Sequence, residues 1–152
     1  MSLTLHLGVF DVPEPEGKTT GEVGMELEEK YGLFSEFYKN NENKIALYLE
    51  DSVADAVASA VSGNPIPDPF GDATGLIDKR FKEFISLQEV EGLGIPGVPT
   101  KAALAGLTLR TRSGKRIRGV KKGQKYKQIR GDRRPSFIYS GILEASLKSW
   151  VD

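Results

Sequence analysis

Residues 19–63 read TTGEVGMELEEKYGLFSEFYKNNENKIALYLEDSVADAVASAVSG, and their pattern decides the fold class. Thr19 and Glu22 stand at the spacing of a capping box, in which each side chain satisfies a backbone donor at the start of a helix. Apolar residues follow at intervals of three and four: Val23, Leu27, Tyr31, Phe34, Phe37 and Tyr38, then Ile45, Leu49, Val53, Val57 and Val61. Gly32 and the Asn40-Asn41 pair weaken the middle, the glycine by about 1 kcal/mol relative to alanine. Gly63 suits a left-handed helix end and Pro65 forbids continuation. The pattern predicts one long helix over 20–62 with a weak middle, or two helices in near succession. The small residues between 52 and 62 either let another helix approach closely or serve only as good helix formers.

Working outward, Leu3, Leu5, Leu7 and Val9 alternate with Thr4, His6 and Gly8, the period of a half-buried strand. The following Asp11-Val12-Pro13-Glu14-Pro15-Glu16-Gly17 reads as a linker, because two prolines remove donors and fix φ. A strand cut off in this way needs a sheet to join, and another subunit can supply one. On the other side, Asn64–Gly71 is a turn-rich connector. A second helix is predicted from about Asp72 to Glu91, with Leu76, Ile77, Phe81, Phe84 and Ile85 on one face. Leu93–Pro99 is extended or turned, and Thr100 caps a short helix over Lys101–Ala105. Leu107–Val120 reads as a hairpin about Ser113-Gly114 or as an extended arm. A last helix capped by Ser140 is expected to carry Ile142, Leu143, Leu147 and Trp150 to the C-terminus, laid on a partner or on the chain's own core, with no strand after it. The class is therefore α+β, mainly helical: a long N-terminal helix or two, a second helix, a short C-terminal helix, an N-terminal strand and a basic arm or hairpin. Three divisions follow: strand and linker arm at 1–18, helical domain at 19–106, basic arm and C-terminal helix at 107–152.

The 152 residues carry 21 basic and 21 acidic side chains, a formal net charge of zero that hides a segregation. Residues 1–100 hold 18 Asp and Glu against 7 Lys and Arg, a net of −11. Residues 101–152 hold 14 Lys and Arg against 3 Asp and Glu, a net of +11. Twelve of those cations fall between Arg110 and Arg134, with Asp132 the one acid among them. Nucleic acid satisfies such a segment by counterion release. A second copy of the chain satisfies it by meeting basic half with acidic half. A third arrangement folds the segment back on its own acidic helices.

Bond-making chemistry finds little to work with. There is no cysteine and one histidine, His6, at a solvent-facing strand position, so thiol nucleophiles and histidine-rich metal sites are out. Gly114-Lys115 lacks the upstream glycine of a phosphate-binding loop, since Leu109 stands there. Glu22, Glu26 and Glu29 share a helical face but lack the Glu-x-x-His companion of a di-metal bundle; a solvated face is expected, with Glu26 paired to Lys30. Tyr31, Phe34, Phe37, Tyr38 and Tyr48 lie at core spacing, and Tyr126 is the one aromatic inside the basic run, so a base-stacking platform is not indicated. No long apolar span reads as a membrane helix, and Met1–Leu7 lacks the charged start and apolar run of a secretory signal. The expectation is a non-enzymatic protein with no catalytic residue, cofactor or metal.

The stretch Arg134-Pro135-Ser136-Phe137-Ile138-Tyr139-Ser140-Gly141-Ile142-Leu143-Glu144-Ala145-Ser146 resembles a signature of tailed-bacteriophage neck and tail-completion proteins. There a basic residue and proline precede a short apolar run, Thr/Ser-Gly, an apolar residue and a serine; Tyr139-Ser140 stands here where Asp-Thr is familiar. Gly97-Val98-Pro99-Thr100 is similar to an upstream companion in phage virion proteins, so the resemblance covers roughly residues 93–152. It implies a structural virion protein at the head–tail junction, assembled in the host cytoplasm as a six- or twelve-fold ring of identical subunits. Neighbouring head or tail proteins, and DNA passing through the lumen, are the implied partners, with no membrane or small-molecule substrate. The residues expected to make contacts are Arg116, Arg118, Lys121, Lys122, Arg133, Arg134 and Trp150. The alternative is a non-specific nucleic-acid-binding module using residues 110–134.

Overall fold

Gly32 divides the long helical stretch in two. In this computed structural model, which describes residues 3–14, 17–106, 132–138 and 141–152, α1 runs Thr20–Tyr31 and α2 runs Leu33–Val61. Gly32 takes a left-handed conformation (φ 63°), where any other L residue costs roughly 1 kcal/mol, and its N–H donates to the Glu28 carbonyl at 2.8 Å. A glycine has no side chain with which to cap the helix that follows. Glu28 reaches forward instead, accepting from the Phe34 N–H at 2.7 Å, the Ser35 N–H at 3.3 Å and the Ser35 hydroxyl. One carboxylate thus satisfies two orphan donors at the start of α2, where the helix dipole also favours negative charge. The capping box of α1 is present: Thr19 Oγ1 accepts from the Glu22 N–H and Glu22 accepts from the Thr19 N–H.

α2 packs against α3, Gly71–Ser86, through aromatic side chains. Phe37 lies flat on Phe81 with ring centroids 4.1 Å apart, and Phe84 and Phe34 meet this pair edge-on. Leu33, Ile45, Ile77, Ile85, Val90, Val98 and Leu147 complete the buried core. Asn41 sits on the same buried stripe; its amide nitrogen donates to the Phe37 carbonyl at 2.9 Å while its oxygen has no partner. The second helix ends earlier than its periodicity suggests. Gln88 turns left-handed (φ 62°), and a 3-10 helix follows at Glu89–Leu93. Arg80 holds this turn in a bidentate pair with Glu89, whose carboxyl its hydrogen bonds keep below the usual range against the cost of burial. α4, Lys101–Leu104, is capped by Thr100 as the sequence predicts.

The two ends of the chain differ most from expectation. The last helix, α5, is only Ile142–Ser146, and Leu147–Val151 form a strand, β2, antiparallel to β1 at Leu5–Val9. The first strand therefore finds its sheet in its own chain, and Trp150 rides a strand rather than a terminal helix. Register sets His6 opposite Trp150, and Thr4 and Asp152 extend the ladder by exchanging both backbone bonds. The reason lies in Ser149. Leu147 and Ser149 point inward and Lys148 and Trp150 outward, an alternation concealed because one inward position is polar. α3 supplies what Ser149 needs: Asp78 accepts from its N–H (2.6 Å) and its hydroxyl (2.7 Å) and from Lys148 Nζ (2.8 Å). Leu143 and Leu147 are buried in the chain's own core. Ser140, the expected cap, and the hairpin expected at 107–120 lie outside the described residues.

The linker after β1 is clamped to the start of α1. Thr20, fully buried, donates to the Phe10 carbonyl and accepts from the Val12 N–H. Asp11 accepts from the Gly21 N–H, and the Thr19 hydroxyl with that N–H holds its carboxyl below the ordinary value. Glu26 pairs with Lys18 from this linker, not with Lys30, which lies over the Tyr31 ring.

Glu28→Ala should destabilise the fold by about 1 kcal/mol, the usual loss on removing a helix cap, read as a lower urea midpoint at unchanged slope. At Gly8, an added Cβ would meet the Trp150 ring at 3.1 Å, so Gly8→Val should displace the single tryptophan and change its emission spectrum while the helical circular dichroism persists.

Candidate functional site

Among the described residues, an ion-paired polar cluster and an acidic helix end form two poles at opposite ends of α3. The first is built where the 3-10 helix meets the returning chain. Glu91, its side chain only 5% exposed, accepts from the Ser136 N–H and hydroxyl, both at 2.8 Å, and pairs with Arg133. Burial pushes this carboxyl up, but the Arg133 guanidinium, the Ser136 hydroxyl and the Ser136 N–H together hold it below its ordinary value of 4.5. Ser136, completely buried, also accepts from the Thr100 N–H at 3.1 Å. Arg134 donates its guanidinium to the carbonyls of Pro135 and Ile138, and its N–H to the Ala103 carbonyl. Phe137 then packs on Tyr31 at 5.1 Å. Arg133 and Arg134, expected as partner contacts, are thus both engaged within the chain. Arg116, Arg118, Lys121 and Lys122 lie outside the described residues.

This pole is the root of the basic segment. The Arg134–Ala103 hydrogen bond holds the chain just before residue 107 beside the chain just after residue 131. Residues 107–131 hold ten Lys and Arg and no Asp or Glu.

The second pole is the far end of α2. Ser52 donates to the Pro69 carbonyl at 2.6 Å, which fixes the start of α3 beside it. Beyond Ser52 no residue of α2 is buried, so nine residues, about 14 Å of helix, project past the body. Val53, Val57 and Val61, which the periodicity places on the core stripe, are exposed by 41%, 58% and 85%. They miss the core because the proline-rich connector brings the chain back at Ser52, leaving α3 too short to cover them. Leu47, Ala54, Val57 and Val61, with Glu50 among them, follow heptad spacing along this open face. Residues 45–78 hold six carboxylates and no lysine or arginine. The signal that marks this face in the sequence is an apolar heptad set running through a stretch without cations. Along α3 alone, 16 residues, the poles stand about 24 Å apart.

Trp150 occupies a third surface. It is 45% exposed, stacks on His6 at 5.1 Å with planes 7° apart, and His6 meets Asp152 at 2.6 Å. Glu22 is spent on the helix cap and Glu26 on Lys18, so the shared carboxylate face of α1 serves local structure. No described helix is long and apolar enough to cross a membrane.

The Glu91 cluster makes a pH-dependent prediction. Its folded carboxyl titrates below 4.5, so it stabilises the fold at neutral pH and that contribution is lost as pH falls below about 4.5 toward the folded value. Glu91→Gln should cost roughly 2 kcal/mol near neutrality and flatten the acid limb, checked by denaturant titrations between about pH 3 and pH 7. Comparison with protein-family models, with curated proteins and with solved structures returned no match.

Proposed function

We propose that this chain is a structural protein of a tailed-phage virion at the head–tail junction, assembling through its own copies into a ring around the DNA channel. The observation that carries the reading is the segregation of charge: −11 over residues 1–100 and +11 over 101–152. Repeated head to tail, each acidic end would meet a basic segment, and a heterologous contact of that kind closes into a ring when its rotation permits. The likeness of residues 134–146 to neck and tail-completion proteins gives the ring its setting. The role is binding, with no bond made or broken.

Purified protein should give a six- or twelve-fold ring by native mass spectrometry and in electron micrographs, and the ring should loosen with added salt as screening shortens the reach of the charges. A monomer that persists at high concentration and low salt would overturn the reading. The nucleic-acid reading rests on the ten cations of residues 107–131. It requires duplex binding whose affinity falls with salt at a log–log slope near −0.9 per phosphate contacted.

A further inference from the structure

We infer that the projecting end of α2 is the docking surface for the basic segment, residues 107–131, of a neighbouring copy, an inference that rests on the ring reading above. Three observations carry it. The first is an apolar face without a partner among the described residues: Leu47, Ala54, Val57 and Val61 lie open along α2, with none of its residues after Ser52 buried. Exposed apolar faces of this kind, rimmed by charge, mark interaction surfaces.

The second is the chemistry of the rim. Glu50 lies on the face, Asp51 and Asp55 border it, and the nearest cations in sequence are Lys44 and Lys79. Pairing this face with the same face of another copy brings carboxylates against carboxylates, which costs affinity rather than adding to it. The occupant must be cationic and carry apolar groups of its own. Residues 107–131 have ten cations and no acid, interspersed with Leu107, Leu109, Ile117, Val120, Tyr126 and Ile129.

The third is position. The residues flanking the segment are fastened at the Glu91–Ser136 cluster, at the other end of α3 from the projecting helix. A contact between the tip of α2 and this segment joins two different surfaces and is therefore heterologous, the kind that builds rings rather than closed dimers. Docking of the segment on its own α2 would cancel both poles within one subunit and leave nothing to drive assembly.

The test is a charge exchange on the full chain. Asp51→Lys with Asp55→Lys in one protein, and Lys121→Glu with Lys122→Glu in another, should each weaken ring assembly by roughly tenfold or more, since each sets like charges together. An equimolar mixture should restore rings of alternating subunits, because each altered tip then meets the other protein's segment. Val57→Asp should weaken assembly too, with unchanged melting temperature, as the residue is exposed. In rings made from isotopically light and heavy protein, cross-links between α2 and residues 107–131 should join the two labels. Rings unaffected by either exchange, a mixture that does not restore them, or cross-links confined within single chains would each overturn the inference while leaving the ring reading standing. A wild-type protein that forms no ring would overturn that reading, and the inference with it.

Discussion

Phe37 lies flat against Phe81 with Phe84 at its edge, and this contact between α2 and α3 is the constraint on which the rest of the molecule depends. Aromatic side chains bury more apolar surface than any others, and these three are at most 2% exposed. Once the two helices are locked, α3 becomes the spine to which everything else is fastened. Asp78 and the Thr74 carbonyl, one turn apart, take hold of Ser149 and so of β2, and β2 brings β1. At its C-terminal end, Arg80 grips Glu89 and places Glu91 where Ser136 and Arg133 arrive. The fastenings are polar and the spine is apolar, a division that fixes where each peripheral segment sits without asking the core to specify it.

Much of this organisation was legible in the residues. The Thr19–Glu22 cap, the break near Gly32, the α3 face of Ile77, Phe81, Phe84 and Ile85, and the Thr100 cap all follow local rules, in which the residue and its neighbours within four positions determine the outcome. Where the structure departs from or adds to that reading, the deciding partner lies outside the four-residue window. Ser149 looks like a helix surface residue until Asp78, 71 positions away, is placed beside it. Gln88 ends its helix while Glu89 is bound to Arg80, and Glu28 caps a helix it does not belong to.

The candidate surface was legible in part. Charge segregation is a property of the sequence itself, whereas the open face of α2 was hidden inside a stripe that looked like core throughout. Periodicity reports which side of a helix is apolar; it says nothing about how far the partner helix extends. Here the partner stops at Ser52, so the same stripe is interior at Phe37 and Ile45 and surface at Val57 and Val61. Arg133 and Arg134 show the converse: cations counted with the basic segment prove to be the anchors that tie it to the body.

The pairing of β1 with β2 has a consequence for how the protein is made. Residues 5–9 are translated some 140 residues before their hydrogen-bonding partners at 147–151, on the order of ten seconds at ordinary elongation rates. During that interval the N-terminal strand has an unpaired edge and only α1 beside it. The nascent chain can pack its helices as they emerge, but the sheet closes only after residues 147–151 have been made.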